Sequence, residues 1–137
     1  MPTYDLKPEM SAFEITQAVL KRLDTRVDGF VLINFANADM VGHTGVFDKA
    51  VRACEVIDAC LSKIVTKILE LGGACIITAD HGKVEEMGDP AKNEIITEHT
   101  KNLVPVIFIA PQFKPITIPM GILADVAPTI LSLLDIT

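Results

Sequence analysis

The chain has 137 residues and a mass of 14.8 kDa, enough for one small domain. Half the residues are hydrophobic, 22% are charged, and the formal net charge is −6, which excludes a disordered chain and a nucleic-acid binder that works through a basic surface. No apolar stretch is long enough to span a bilayer, and MPTYDLKPEM at the N-terminus has neither the basic nor the apolar region of a signal peptide, so a cytoplasmic protein without membrane contact is expected.

In chain order, Pro8 precedes Ser11-Ala12-Phe13-Glu14, a Ser-x-x-Glu capping box. Ala12, Ile15, Val19 and Leu23 recur at helical spacing and predict a helix from about Ser11 to Asp24. Asp28-Gly29 reads as a turn. Phe30-Val31-Leu32-Ile33 reads as a strand buried on both faces, followed by a polar loop from Asn34 to Thr44. Phe47, Val51, Cys54, Ile57, Leu61, Ile64 and Ile68 predict a long helix with those residues inward, ended by Gly72-Gly73. Ala74 to Thr78 is a second predicted strand, Asp80 to Asn102 a polar loop, and Val104 to Ile109 a third strand with Pro105 at its entry. Pro111 to Pro119 reads as irregular. Asp125 reads as the N-cap of a last helix that ends near Leu134. Cys54, Cys60 and Cys75 sit in apolar stretches and are expected to be reduced core thiols. The alternation of helices with apolar strands predicts an α/β fold with a parallel sheet and flanking helices. Three strands are few, as in one part of a larger sheet.

All three histidines fall in the two polar loops. Asp39 and His43 follow the first predicted strand, and Asp80 and His81 follow the second. Ligands in open parallel sheets bind beyond the carboxyl ends of the strands. Two strand ends each deliver an Asp and a His to that edge, and His99 can reach back from the second loop. Such donors suit Mn²⁺, Zn²⁺ or Fe²⁺, with carboxylates also suiting Mg²⁺, and two clusters match a two-metal phosphoryl-transfer site. Glu85, Glu86, Glu94 and Glu98 read as solvated loop charge, Lys7 and Lys83 as surface lysines, and Phe108 and Phe113 as core.

Tyr4 to Ala12, then Asn34-Phe35-Ala36-Asn37-Ala38-Asp39-Met40-Val41-Gly42-His43-Thr44-Gly45, then Thr78-Ala79-Asp80-His81-Gly82, then Glu98-His99-Thr100 resemble cofactor-independent phosphoglycerate mutase of the alkaline phosphatase superfamily. The resemblance runs to the closing Leu123 to Leu131. It implies a partial alkaline-phosphatase-like sheet and interconversion of 3-phosphoglycerate and 2-phosphoglycerate through a phosphoserine. It also implies two Mn²⁺ ions, Lewis acids toward the phosphoryl oxygens and the serine hydroxyl. One ion would take residues matching Asp39, His43 and His99. The other would take Asp80 and His81 together with an Asp and the nucleophilic Ser from an N-terminal part of the family that this chain does not match. The inserted substrate domain and the family's catalytic Lys have no match either. Lys83 stands where Asn is usual, and a cation there is expected to weaken the second site. Ala38 stands where Pro is usual.

The resemblance therefore implies that residues 1–137 correspond to the C-terminal portion of the phosphatase domain, with no catalytic residue of their own. Three readings remain open on the residues alone. One is a part of a mutase that acts with a missing N-terminal half. Another is a non-catalytic metal-binding fragment or assembly module. The third is a metal-dependent phosphate-ester hydrolase. Self-association through uncovered apolar surface is expected.

Overall fold

The computed structural model describes residues 4–25, 28–89, 94–115 and 117–136. Residues 90–93 of the predicted second loop and Ile116 of the predicted irregular stretch lie outside the described residues, as does the Glu94 side chain.

The described residues form four α-helices: α1 (Ala12–Thr25), α2 (Asn37–Gly42), α3 (Phe47–Glu70) and α4 (Val126–Leu133). Strands β1 (Cys75–Thr78) and β4 (Val106–Ile109) pair with each other, as do the short β2 (Gly88–Asp89) and β3 (Glu94–Ile95). Both long helices stand within a residue or two of where periodicity puts them. α1 buries Ala12, Thr16 and Leu23, and the Thr16 hydroxyl donates to the Ala12 carbonyl at 2.7 Å, so no buried donor is left over. α3 ends as Gly72-Gly73 predicts. Gly72 takes φ +75°, and the Gly73 amide closes back onto the Ile68 carbonyl at 2.9 Å, satisfying an end carbonyl of the helix.

The buried face of α3 agrees with the predicted one at Ile64, with Ile57, Leu61 and Ile68 half-buried, but is rotated away from it in the first half of the helix. Ala50, Ala53, Val56, Cys60 and Ile64 point inward, whereas Phe47 is 67% exposed, and Val51 and Cys54 are exposed as well. The alanines explain the rotation. Val41 of α2 packs with Ala50, Ala53 and Met87, with Val84 against the cluster, and small residues let the two helix backbones approach. A count of large side chains passes over that face. Ala12, Val56 and Cys60 form a second cluster with Phe35 against it, joining α1 to α3. Of the three cysteines, all free, only Cys60 is a buried thiol.

The α/β alternation with flanking helices stands, but the paired strands do not run parallel. β1 and β4 are antiparallel, with Cys75 opposite Ile109 and Thr78 opposite Val106. A continuous apolar run reports burial, not direction. The connection between the two strands has no helix among its described residues to make a parallel crossover. Residues 30–33 form no ladder among the described residues, and Leu32 is 82% exposed. Pro105 stands just before β4, and its carbonyl accepts from the Thr78 hydroxyl at 3.0 Å. Phe113, expected in the core, is exposed. Asp125 precedes α4 as expected, yet its carboxylate accepts from the Ile122 amide at 2.8 Å and so caps the 3-10 turn Leu123–Asp125 instead. No helix among the described residues is long and apolar enough to cross a membrane.

Candidate metal centre

The stretch Asn34 to Thr44, expected to be loop, contains α2. Asn37 opens it, buried, with its side-chain amide donating to the Pro8 carbonyl at 2.8 Å. Val41 is fully buried and anchors the helix on α3. Asp39 and His43 therefore stand one helical turn apart, on the same face. Gly42 lets the loop beyond β1 come close. A Cβ there would lie 3.0 Å from Lys83 Cγ and Val84 Cγ1.

The third donor arrives from the far loop. The Thr100 amide donates to the Gly82 carbonyl at 2.9 Å, an antiparallel bridge that fixes the residue after His99 beside the residue after His81. Three donor atoms then converge. His43 Nε2 is 3.1 Å from Asp39 Oδ1, His99 Nε2 is 3.3 Å from it, and the two ring nitrogens are 3.2 Å apart. Donors each about 2.1 Å from one divalent ion stand roughly 3.0–3.4 Å from each other, between octahedral and tetrahedral arrangement. The triangle has those edges. Both rings approach Asp39 Oδ1, yet neither aligns a hydrogen on it. The oxygen is buried with no hydrogen bond, a state that a cation relieves. The donor set therefore fits a divalent metal, and these three residues form a cluster able to hold one.

The other two expected ligands lie alongside. The His81 ring stacks on His99, with centroids 3.7 Å apart and planes 9° from parallel. His81 Nε2 is 3.6 Å from Asp80 Oδ1, and the Asp80 side chain is 86% exposed. His81 Nδ1 is buried without a partner. Asp80 and His81 thus offer two donors close together beside His99, an incomplete set by themselves.

Two charged residues are not where sequence reasoning puts them. Lys83 is 3% exposed, not a surface lysine, and its ammonium donates to the Ile96 carbonyl at 2.8 Å. Glu85 is exposed but far from idle. It accepts from the Thr100 hydroxyl, from Asn102 Nδ2 at 3.1 Å and from the Lys83 amide at 2.7 Å. A Cβ on Gly82 would land on the Glu85 and Thr100 oxygens, so only glycine permits this contact. Lys7, by contrast, is the expected surface lysine, 3.9 Å from Glu14. The one sequence signal for Glu85 was its place three residues after Gly82, within a turn rich in charge.

The Thr100 hydroxyl above all, with Asn102 and the Lys83 amide, holds the Glu85 carboxyl at about 2, against partial desolvation. A carboxyl with a depressed folded-state value contributes stability above its unfolded value and loses it as pH falls through the folded one. The Glu85 contribution is therefore complete above about pH 4.5 and gone near pH 2. Urea melts of wild type and Glu85→Gln should differ at neutral pH and converge over that interval. Solvent exposure keeps the difference to about 1 kcal/mol or less. A constant difference from pH 5 to pH 2 would show that the contacts do not depend on the charge.

Comparison with known proteins matches the architecture. Residues 1–137 match the Metalloenzyme superfamily. The chain is 55% identical over 130 residues to the 2,3-bisphosphoglycerate-independent phosphoglycerate mutase of Clostridium novyi, covering 94% of this chain and 25% of that protein. It is 49% identical over 140 residues to the enzyme of the same name from Thermomicrobium roseum, covering 99% and 27%. A crystal structure of Leishmania mexicana phosphoglycerate mutase, determined at low cobalt concentration, superposes with a TM-score of 0.85 at 31% identity, over 97% of this chain and 27% of that one. The chain spans about a quarter of the length of the relatives it matches.

Proposed function

Since the chain belongs to the Metalloenzyme superfamily, we propose that it is the metal-ligand portion of a 2,3-bisphosphoglycerate-independent phosphoglycerate mutase, cytoplasmic like other glycolytic enzymes. The observation that carries this reading is the triangle of Asp39, His43 and His99 around a buried, unbonded carboxylate oxygen, in a chain half identical to such enzymes.

Asp39, His43 and His99 would hold one divalent ion, Mn²⁺ or alternatively Mg²⁺ or Zn²⁺. Asp80 and His81 would contribute two donors to a second. Bound there, such ions supply Lewis-acid stabilisation of charge on phosphoryl oxygens. The residues of this chain do the positioning. α2 sets the Asp39–His43 pair through its backbone. The Gly82–Thr100 bridge brings His99 to that pair, and the His81–His99 stack sets the spacing between the two donor groups. The three serines of the chain, Ser11, Ser62 and Ser132, are all exposed. The chain covers a quarter of such an enzyme, and the nucleophile for a phosphoserine and the cradle for phosphoglycerate would come from the rest of it.

The test is a chimera. The matching quarter of the Clostridium novyi relative is replaced by this chain, and mutase activity is followed with added Mn²⁺. Activity that disappears with Asp39→Ala is expected. A folded chimera that binds metal but never turns over would remove the mutase reading.

The surface supports a partner. Phe30 and Leu32, Phe47 and Val51 of α3, and Leu131 and Leu133 of α4 are all exposed. Apolar area of this extent seeks cover, by the remainder of such an enzyme or by a second copy. The 137-residue chain alone should sediment as a dimer or larger. A monodisperse monomer at high concentration would show that this surface is tolerated bare.

A further inference from the structure

His99 reaches the metal triangle from a loop, and loops need ties to hold a donor to a fraction of an ångström. On its N-terminal side, the Ile96 carbonyl accepts from the buried Lys83 ammonium, whose stem lies against Gly42 at the end of α2. On its C-terminal side, Thr100 and Asn102 both donate to Glu85 Oε1. The same carboxylate closes its own turn by accepting from the Lys83 amide through Oε2. Both ties start from the turn that follows His81. His99 is thus suspended between two fastenings to one short segment.

We infer that Glu85 is a positioning residue for the metal centre: it fixes His99 on Asp39 and His43 by latching the Thr100–Asn102 segment to the His81–Gly82 turn. The inference rests on the ligand triangle read above. Glu85 touches none of the donors, so it acts through backbone placement. Gly82 is part of the device, because any side chain there would occupy the latch.

The 137-residue chain is titrated with Co²⁺, whose visible absorption reports coordination in the folded protein. Glu85→Ala and Thr100→Val should each weaken binding by about ten-fold or more, as loss of a supporting partner does. The double variant should be no weaker than Glu85→Ala, since both remove one interaction. Glu85→Gln should keep part of the affinity, because its amide oxygen still accepts from Thr100 and Asn102 while its amide group cannot accept from the Lys83 amide. Glu86→Ala, at the exposed neighbour, should match wild type. A purely structural role would shift melting without changing the cobalt spectrum or affinity of the folded variants. A second readout needs no metal: exchange of the Thr100 amide should speed up in Glu85→Gln and further in Glu85→Ala. Affinities within two-fold of wild type, or a Thr100 amide exchanging at the wild-type rate, would overturn the latch. If wild type takes up no Co²⁺, the ligand triangle falls, and the Thr100 exchange alone then decides the latch.

Discussion

Replacement of Asp39 or His43 by alanine should abolish tight binding of Mn²⁺, Zn²⁺ or Co²⁺. Each of the three donors spans one corner of a triangle with edges of 3.1, 3.2 and 3.3 Å. Removal of one leaves two protein donors, as few as Asp80 and His81 offer, and the rest of the coordination sphere falls to water. Asp39→Ala has a further effect. It deletes the only carboxylate in the triangle, so two neutral imidazoles would have to hold a doubly charged ion in a half-buried site. A loss of at least two to three orders of magnitude in affinity is expected, about 3–4 kcal/mol. His43→Gln retains size but lacks the imidazole nitrogen and should resemble His43→Ala. Protons compete for the imidazole nitrogens, so wild-type affinity should weaken with acidification. Isothermal titration with each ion measures this directly. Equal affinities of wild type and His43→Ala would show that the triangle is a packing accident of two rings and an acid.

The isolated 137-residue chain should not interconvert 2- and 3-phosphoglycerate. A covalent phosphoryl transfer needs a serine beside the metal pair, whereas Ser11, Ser62 and Ser132 stand at the start of α1, on α3 and on α4, and the donors stand on or next to α2 and in the loop after β1. It needs a second ion held by more than Asp80 and His81. It also needs a surface that turns the glycerate between two attacks, and positioning of that kind is worth roughly 7–11 kcal/mol of barrier. Its loss slows a reaction by about five to eight orders of magnitude, below detection in an enolase-coupled assay. The assay with Mn²⁺ should therefore read background for the chain alone. It should rise only when a separately expressed remainder of a relative associates with it, and fall again with His81→Ala. Isomerisation by the lone chain with all three serines changed to alanine would require another carrier of the phosphoryl group.

The candidate donors were legible in the sequence because chemistry-bearing residues crowd into two stretches with little else to explain them. Asp39, His43 and His99 meet as the motifs imply, and His81 stacks beside them. What escaped was the support. A six-residue helix with Asn37 and Asp39 in its first turn carries too little apolar periodicity to register, yet it sets the Asp39–His43 spacing. The inward face of the first half of α3 was misplaced because close helix packing selects alanine, which large apolar spacing does not reveal. The direction of β1 and β4 escaped because burial is written in composition, whereas orientation depends on the connecting segment. Lys83 and Glu85 looked like solvent charge, and only the fold supplies the carbonyl and hydroxyl that engage them.

The ligand triangle also joins near and far chain. Asp39 and His43 are close whenever α2 forms, while His99 is 56 residues beyond His43 and meets it only after α3, β1 and the following loop are in place. An ion shared by the three would act as a staple across that interval. It would tie a locally formed pair to a donor whose return carries the entropy of closing a long loop. Occupancy and folding then draw on one equilibrium, and free metal at a hundred times its dissociation constant adds about 2.7 kcal/mol to a fold this small. The melting temperature of the chain should climb with the logarithm of metal concentration, so a chelator in the buffer would act on it as a denaturant.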